Sequence, residues 1–147
     1  MTDPHFLGLA YEQAQKAAHL GEVPVGAVLV KHGQVIASGH NERILQKNSL
    51  YHAEIVVLER ACKLLNQWRL DGCVLYVTLE PCLMCTGAIV ESRVSRVVFS
   101  ALDEKNGCVL SRYTLLDDHL LSHRVSYEYQ ADERSKMLLR KFFESKR

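Results

Sequence analysis

The chain has 147 residues, of which 48% are hydrophobic and 24% are charged, and its formal net charge is +1. This length suits one globular domain, so we expect a single domain over residues 1–147. The near-zero charge excludes a protein that binds nucleic acid over its whole surface, and no apolar run approaches the ~20 residues needed to cross a bilayer.

The predicted elements alternate between helices and strands. In chain order they are a helix at 6–19, strands at 23–30 and 34–38, a helix from His52, a strand at 73–78, a helix from Pro81 to 92, a strand at 96–100, a loop at 101–112, a short strand at 124–129 and a helix at 131–145. A hairpin followed by strand–helix alternation predicts a three-layer α/β/α domain around a mixed five-stranded sheet.

Three residues in two short segments have the chemistry of zinc ligands. They are His52, in the segment His-Ala-Glu, and Cys82 and Cys85, in the segment Pro-Cys-Leu-Met-Cys. Zn²⁺ prefers imidazole nitrogen and thiolate sulfur, and two cysteines three residues apart share one face of a helix. A structural zinc site has four protein ligands, whereas a catalytic site has three and an open position. The count predicts one catalytic zinc per subunit; a closed site with a further cysteine or histidine is the alternative.

Glu54 follows His52 by two residues and is predicted to carry protons in this site. In the first turn of a helix its long side chain could take a proton from water and pass it to a leaving group. Zinc lowers the pKa of the water that it binds from about 15.7 to about 7. The compound pattern, His-x-Glu followed by Pro-Cys-x-x-Cys, is the signature of zinc-dependent nucleobase deaminases.

Several further segments match one family. They lie at 23–28, 39–41, 52–54, 75–85, 96–99 with Asp103 and Lys105, and 131–143. On these segments the chain resembles the bacterial tRNA-specific adenosine deaminases of the TadA type, which have the cytidine-deaminase-like fold. The resemblance implies hydrolysis of adenosine to inosine at the wobble position of a tRNA anticodon loop, in an arginine tRNA. It implies that His52, Cys82 and Cys85 hold zinc and that Glu54 moves protons from water to the purine ring and to the leaving ammonia.

The resemblance also implies a set of substrate contacts. Asn41 would hydrogen-bond the flipped-out base, because a carboxamide offers both a donor and an acceptor. The backbone at Ala53 and Glu80 would line the same pocket. Asp103 and Lys105 would lie on the loop that meets the ribose and the neighbouring nucleotides. Further contacts would come from a basic rim, whose candidate members are Arg93, Lys105, Arg140, Lys141, Lys146 and Arg147.

Two features concern the surroundings of the site. Tyr51 stands next to the predicted metal ligand, where the family has a small residue, and it could reshape the mouth of the pocket. The helix after Pro81 carries more apolar residues than one inward face needs, which together with the resemblance predicts a homodimer. The apolar residues in question are Leu83, Met84, Ile89 and Val90.

Two features favour the reducing cytoplasm: the five cysteines, an odd number, and the lack of a charged-then-apolar signal pattern at residues 1–5. No membrane association is predicted.

Two other functions remain open. One is a deaminase of a free base or nucleoside, guanine or cytosine, with the same zinc chemistry and a closed pocket. The other is an inactive zinc domain that binds RNA or a protein partner, for which replacing Glu54 would change nothing.

Overall fold

In the computed structural model, which describes residues 2–146, four α-helices surround a mixed sheet of five strands, as the sequence predicts. The elements are α1 (Asp3–His19), β1 (Gly26–Lys31), β2 (Gln34–His40), α2 (Ala53–Leu65), β3 (Cys73–Val77), α3 (Leu83–Glu91), β4 (Arg96–Phe99), a 3₁₀ turn (Leu115–Asp117), β5 (Ser126–Tyr129) and α4 (Glu133–Ser145). Every helix within residues 2–146 is too short or too polar to span a lipid bilayer.

The sheet has the order β2-β1-β3-β4-β5. Strand β1 pairs antiparallel with both β2 and β3, whereas β3, β4 and β5 run parallel. Parallel neighbours need a crossover on one face of the sheet, and α3 supplies it between β3 and β4. The carboxyl end of β3 therefore lies where the chain turns into α3, which is where the cysteine segment begins.

Helices cover both faces of the sheet, which gives the predicted three layers. On one face, α2 and α3 pack on a large apolar cluster that includes Leu29, Leu75 and Phe99, each with no exposed surface. On the other face, Phe6 and Leu7 of α1 pack against a smaller cluster. Burial on both faces explains why β3 is nearly continuous in apolar residues.

Several predicted boundaries differ from the structure by a few residues: for example, β2 ends at His40 rather than residue 38, and α4 begins at Glu133 rather than residue 131. Helix α1 begins at Asp3 rather than residue 6, because Pro4 fits the first turn of a helix. Residues 23–25 precede β1. Helix α3 begins at Leu83, so Pro81 is not its first residue. The Pro81 carbonyl instead accepts a 2.9 Å hydrogen bond from the Cys108 amide, which ties this residue to the loop after β4.

Candidate metal and active site

Two helix N-termini meet at the candidate site. His52 is the N-cap residue of α2, and Cys82 is the N-cap residue of α3. Each has an extended backbone, and neither side chain caps its own helix, so the imidazole and the thiol remain available to a ligand. Cys85 lies in the first turn of α3 and is fully buried. The positive end of a helix dipole stabilises thiolate, which is the form of cysteine that binds metal.

The predicted ligands are close enough together to hold one ion. The Nδ1 atom of His52 lies 3.6 Å from the Sγ atom of Cys82 and 3.6 Å from that of Cys85. All three ligand atoms lie within 4.8 Å of one another. A tetrahedral zinc ion with Zn–N and Zn–S bonds of about 2.0 and 2.3 Å would separate nitrogen from sulfur by about 3.6 Å. The donor set and its spacing therefore fit zinc.

The three ligands also influence one another's protonation. Hydrogen bonds from Cys85 and His52 lower the pKa of the Cys82 thiol to about 4, against the opposing effect of burial. The hydrogen bond to Cys82, together with burial, raises the pKa of Cys85 well above its ordinary value. The hydrogen bond with Cys82 also raises the pKa of His52. Such a cluster releases protons when it binds a metal.

Glu54 lies in the first turn of α2 with 4% of its surface exposed. Burial raises the pKa of its carboxyl group to about 7, and the nearby Cys82 acts in the same direction. A carboxyl group with a pKa near the working pH can both accept and donate a proton. The three predicted ligands His52, Cys82 and Cys85, which we call the metal triad, lie beside this acid as the sequence predicts. The arrangement suits acid–base chemistry beside a metal ion.

An open cavity of about 1300 Å³ lies over these residues. His52, Cys82 and Glu54 line it, whereas Cys85 lies behind its wall. Four of the five predicted substrate contacts line it as well: Asn41, Ala53, Asp103 and Lys105. Its walls also carry Arg43, Arg112 and Lys136, and among residues 2–146 none of these three cations forms an ion pair.

Glu80 is the predicted contact that the cavity does not include. Its carboxylate is 2% exposed and turns away into the loop after β4. It accepts hydrogen bonds from the backbone amides of Asp103, Val109, Leu110 and Ser111, at 2.8–3.1 Å, and from the Ser111 hydroxyl. Burial opposes ionisation, but these bonds outweigh it, and the pKa of Glu80 is lowered. The side chain therefore organises the loop that carries Asp103, and a substrate role for Glu80 stays a prediction for its backbone alone.

Tyr51 does not reshape the pocket mouth. Its hydroxyl donates to the Glu59 carboxylate at 3.2 Å, on the outer side of α2, and the residue is absent from the cavity wall.

The residues of the predicted basic rim are spread over the surface. Lys105 lines the large cavity, Lys146 lines a neighbouring one of about 630 Å³, and Arg93 lies over the Trp68 ring. Arg140 and Lys141 are exposed away from both cavities, and Arg147 is outside the described residues.

Glu22, Arg43 and Arg112 also belong to the site or its surroundings and were not predicted from the sequence. Glu22 is 1% exposed and hydrogen-bonds the Asn41 side chain at 3.3 Å. A glutamate between a glycine and the apolar run 23–30 was the available signal, since charged residues are seldom buried without a partner. Arg43 and Arg112 lie in irregular segments that gave no periodic signal.

Comparisons with known proteins agree with this geometry. The family profile of the MafB19-like deaminases matches residues 1–147. The tRNA-specific adenosine deaminase of Aquifex aeolicus is 46% identical over 147 residues, which cover 100% of this chain and 97% of that protein. The tRNA-specific adenosine deaminase of Bacillus subtilis is 49% identical over 123 residues, which cover 84% of this chain and 76% of that protein.

Two solved structures are also similar. One, from studies of A-to-I editing by tRNA:A34 deaminases, matches with a TM-score of 0.89 at 40% identity and covers 92% of this chain and 99% of that chain. The other is a guanine deaminase from Bacillus subtilis, with a TM-score of 0.67 at 38% identity, covering 69% of this chain and 66% of that chain. The chain belongs to the tRNA-specific adenosine deaminases, within the MafB19-like deaminase family.

Proposed function

We propose that this protein is a zinc-dependent hydrolase that converts adenosine to inosine at the wobble position of a tRNA anticodon loop, with an arginine tRNA as substrate. The observation that carries the proposal is the metal triad with Glu54 buried beside it at the base of an open cavity. The editing activity of the similar tRNA:A34 deaminases supports the choice of substrate.

In this proposal His52, Cys82 and Cys85 would hold the zinc ion, which when bound would make hydroxide available near neutral pH. The three ligands come from two helix N-termini fixed by the sheet, so their geometry exists before substrate arrives. Three protein ligands leave one position of a tetrahedron for the reaction.

Glu54 would accept one proton from the attacking water and deliver it to the purine ring nitrogen. It would then take the second proton of that water from the newly formed hydroxyl group and pass it to the amino group, which leaves as ammonia. Its burial keeps the pKa of the carboxyl group close to neutral, so both protonation states are accessible. Asn41 binds the base edge through its carboxamide, and Ala53, whose side chain is fully buried, allows the base to approach the backbone closely. Asp103 and Lys105 contact the ribose and the neighbouring nucleotides.

The shape and charge of the cavity favour an RNA loop over a free base. A pocket for a small molecule usually encloses 300–1,000 Å³ and covers most of its ligand. Here the cavity is about 1300 Å³ and open to solvent, and it carries Arg43, Lys105 and Arg112. Recognition of RNA loops splays bases into pockets while cations contact the backbone. The cavity has room for a flipped base and for the nucleotides next to it.

A second candidate is the deamination of free guanine, favoured by the likeness to a guanine deaminase at 38% identity. Ammonia release distinguishes the two candidates. Purified zinc-loaded protein would be incubated with an anticodon stem-loop, with the same stem-loop carrying guanosine at the wobble position, and with guanine, cytosine and their nucleosides. We expect ammonia from the adenosine stem-loop alone. Turnover of guanine with a silent stem-loop would overturn the proposal.

We further propose that residues 1–147 form one deaminase domain, that the protein is cytoplasmic and that it forms a homodimer. All five cysteines are free, which supports a reducing compartment. For the dimer, Leu83 is 63% exposed and Met84 is half-buried, whereas Ile89 and Val90 lie in the core, so two of the four predicted apolar contacts are unavailable. A monomer in light scattering at micromolar concentration would contradict the dimer.

A further inference from the structure

Glu22 is a buried carboxylate outside the metal site. It lies between α1 and β1 with 1% of its surface exposed, and among residues 2–146 no lysine, arginine or histidine forms an ion pair with it. Instead its oxygens accept three hydrogen bonds. The donors are Asn41 Nδ2 at 3.3 Å, the Ile44 amide at 3.2 Å and the Leu45 amide at 2.7 Å. A buried charge is stable only when it accepts hydrogen bonds of this kind, so Glu22 holds the Asn41 side chain and the two backbone amides in place.

The bond from Asn41 determines which way its carboxamide faces. A carboxylate can only accept hydrogen bonds, so the amide must turn its NH₂ group, and not its oxygen, towards Glu22. The backbone of Asn41 is held at the same time, because its amide donates to the Val25 carbonyl at 3.1 Å. The Oδ1 atom and one Nδ2 hydrogen are then left for a ligand in the cavity, which Asn41 lines together with Glu54.

We propose that Glu22 is a positioning residue, which fixes the carboxamide of Asn41 so that its oxygen accepts a hydrogen bond from the purine edge. The inference rests on the proposed function, because the bound base is what Asn41 would recognise. The same carboxylate anchors the turn after Asn41 through Ile44 and Leu45, so the amide and the cavity wall at Arg43 are set by one group. Fixing a polar contact before the substrate arrives removes the cost of ordering it during the reaction.

Glu22→Gln tests this with almost no change in shape. A glutamine has one oxygen and one NH₂ group where the glutamate has two oxygens. Oε1 receives both Asn41 and Ile44, and Oε2 receives Leu45, so either orientation of the glutamine sets an NH₂ group against a donor. The bond from the Leu45 amide is the shortest of the three, at 2.7 Å, so we expect the glutamine oxygen to stay with Leu45 and its NH₂ group to face Asn41. The Asn41 carboxamide then turns over and presents its own NH₂ group to the substrate. The NH₂ group of the turned amide then faces a hydrogen-bond donor of the base, and no hydrogen bond can form between two donors.

The decisive measurement is a double-mutant cycle on kcat/KM for the stem-loop, with Glu22→Gln, Asn41→Ala and the pair. We expect each single variant to lose about 10- to 100-fold, as expected for a misplaced or missing buried hydrogen bond. In the Asn41→Ala background, we expect Glu22→Gln to lower kcat/KM by less than about threefold, because its effect passes through the Asn41 side chain. Independent losses that multiply in the pair would overturn the proposal.

Glu42→Gln is the matched control. Glu42 is a neighbouring carboxylate, 6% exposed, that bonds Arg60 at 3.1 Å and does not line the cavity. We expect kcat/KM of Glu42→Gln to stay within about threefold of wild type, because this carboxylate does not hydrogen-bond the Asn41 side chain and its loss should not misplace the Asn41 carboxamide. A loss in this control equal to that of Glu22→Gln would assign the effect to general loosening and refute a positioning role.

A measurement on the wild-type protein keeps the inference testable if the variants do not fold or the stem-loop is not a substrate. In NMR spectra, the side-chain NH₂ signal of Asn41, assigned with Asn41→Asp, should show one proton shifted downfield and protected from exchange. The exposed side chain of Asn66 provides the unprotected reference. Equally fast exchange at Asn41 and Asn66 would refute the fixed amide. A protected Asn41 in a protein without activity on the stem-loop would refute the proposed function alone.

Discussion

Replacing Glu80 by glutamine should destabilise the loop after β4 without touching the metal site. The Oε2 atom accepts from the amides of Val109, Leu110 and Ser111, and Oε1 accepts from the Asp103 amide. A glutamine can keep its oxygen towards the three amides only by turning its NH₂ group towards the Asp103 amide, which would lose its acceptor.

The magnitude follows from this count. A buried donor left without an acceptor costs about 1–3 kcal/mol, and the remaining bonds lose the extra strength that a charged acceptor gives. We expect the free energy of unfolding to fall by about 2–4 kcal/mol, out of a typical total of about 5–15 kcal/mol. Because Asp103 and Lys105 lie on the same loop, KM for the stem-loop should rise as well.

Urea unfolding of wild type, Glu80→Gln and Glu104→Gln would measure the change, and hydrogen exchange would locate it in residues 103–111. Glu104 lies on the same loop but is exposed, so its substitution should stay within about 0.5 kcal/mol. An equal effect of the two substitutions, or a change below about 0.5 kcal/mol for Glu80→Gln, would refute the reasoning.

Three further predictions concern the site, the loop and the N-terminal helix. Glu54→Gln should lower kcat by about 10²–10⁴-fold while zinc content, measured by mass spectrometry, is unchanged, because the residue is proposed to carry protons and not to bind the ion; an active variant would exclude that role. Gly107→Ala should destabilise the fold as measured by thermal unfolding, because a Cβ atom there meets the Glu80 carboxylate, whereas Gly87→Ala on α3, which meets nothing within 4 Å, should not destabilise it. The Arg96 guanidinium, with Tyr76 and Gln130, holds the pKa of Asp3 below its ordinary value. Because the pKa is lower in the folded state, ionised Asp3 stabilises the fold at any pH above its unfolded pKa of about 3.9, and this stabilisation is lost as the pH falls further. Asp3→Asn should therefore lower the free energy of unfolding by about 1 kcal/mol at pH 7, allowing for partial solvent screening, and by progressively less below pH 4. A difference between the two proteins that does not depend on pH would contradict this.

Local sequence patterns predicted most of the fold because they depend on neighbouring residues. The 3.6-residue and 2-residue periodicities located four helices and five strands, and errors occurred only at their ends. The metal triad was predictable for a similar reason. His52 and Cys82 are the N-cap residues of their helices, Cys85 lies in the first turn of α3, and the residue types alone define the donor set.

Contacts between distant segments were not predictable from these patterns. Glu80 bonds residues about thirty positions away, and Glu22 bonds a turn about twenty positions away, so neither partner is visible from local spacing. The apolar residues of α3 were predicted to exceed what one inward face needs, but Ile89 and Val90 both lie in the apolar core, so among the four predicted contacts only Leu83 and Met84 keep substantial exposed surface. The place of Tyr51 was left open by the sequence, because adjacency to His52 says nothing about the direction of its side chain, which points to Glu59.

The most direct test of the proposed chemistry is sequencing of total tRNA after incubation with the zinc-loaded protein, since inosine is copied as guanosine. We expect an A-to-G change confined to the wobble position of an arginine tRNA, and no change with the Glu54→Gln variant. Changes spread over many adenosines, or no change at any position with the wild-type protein, would contradict the proposal.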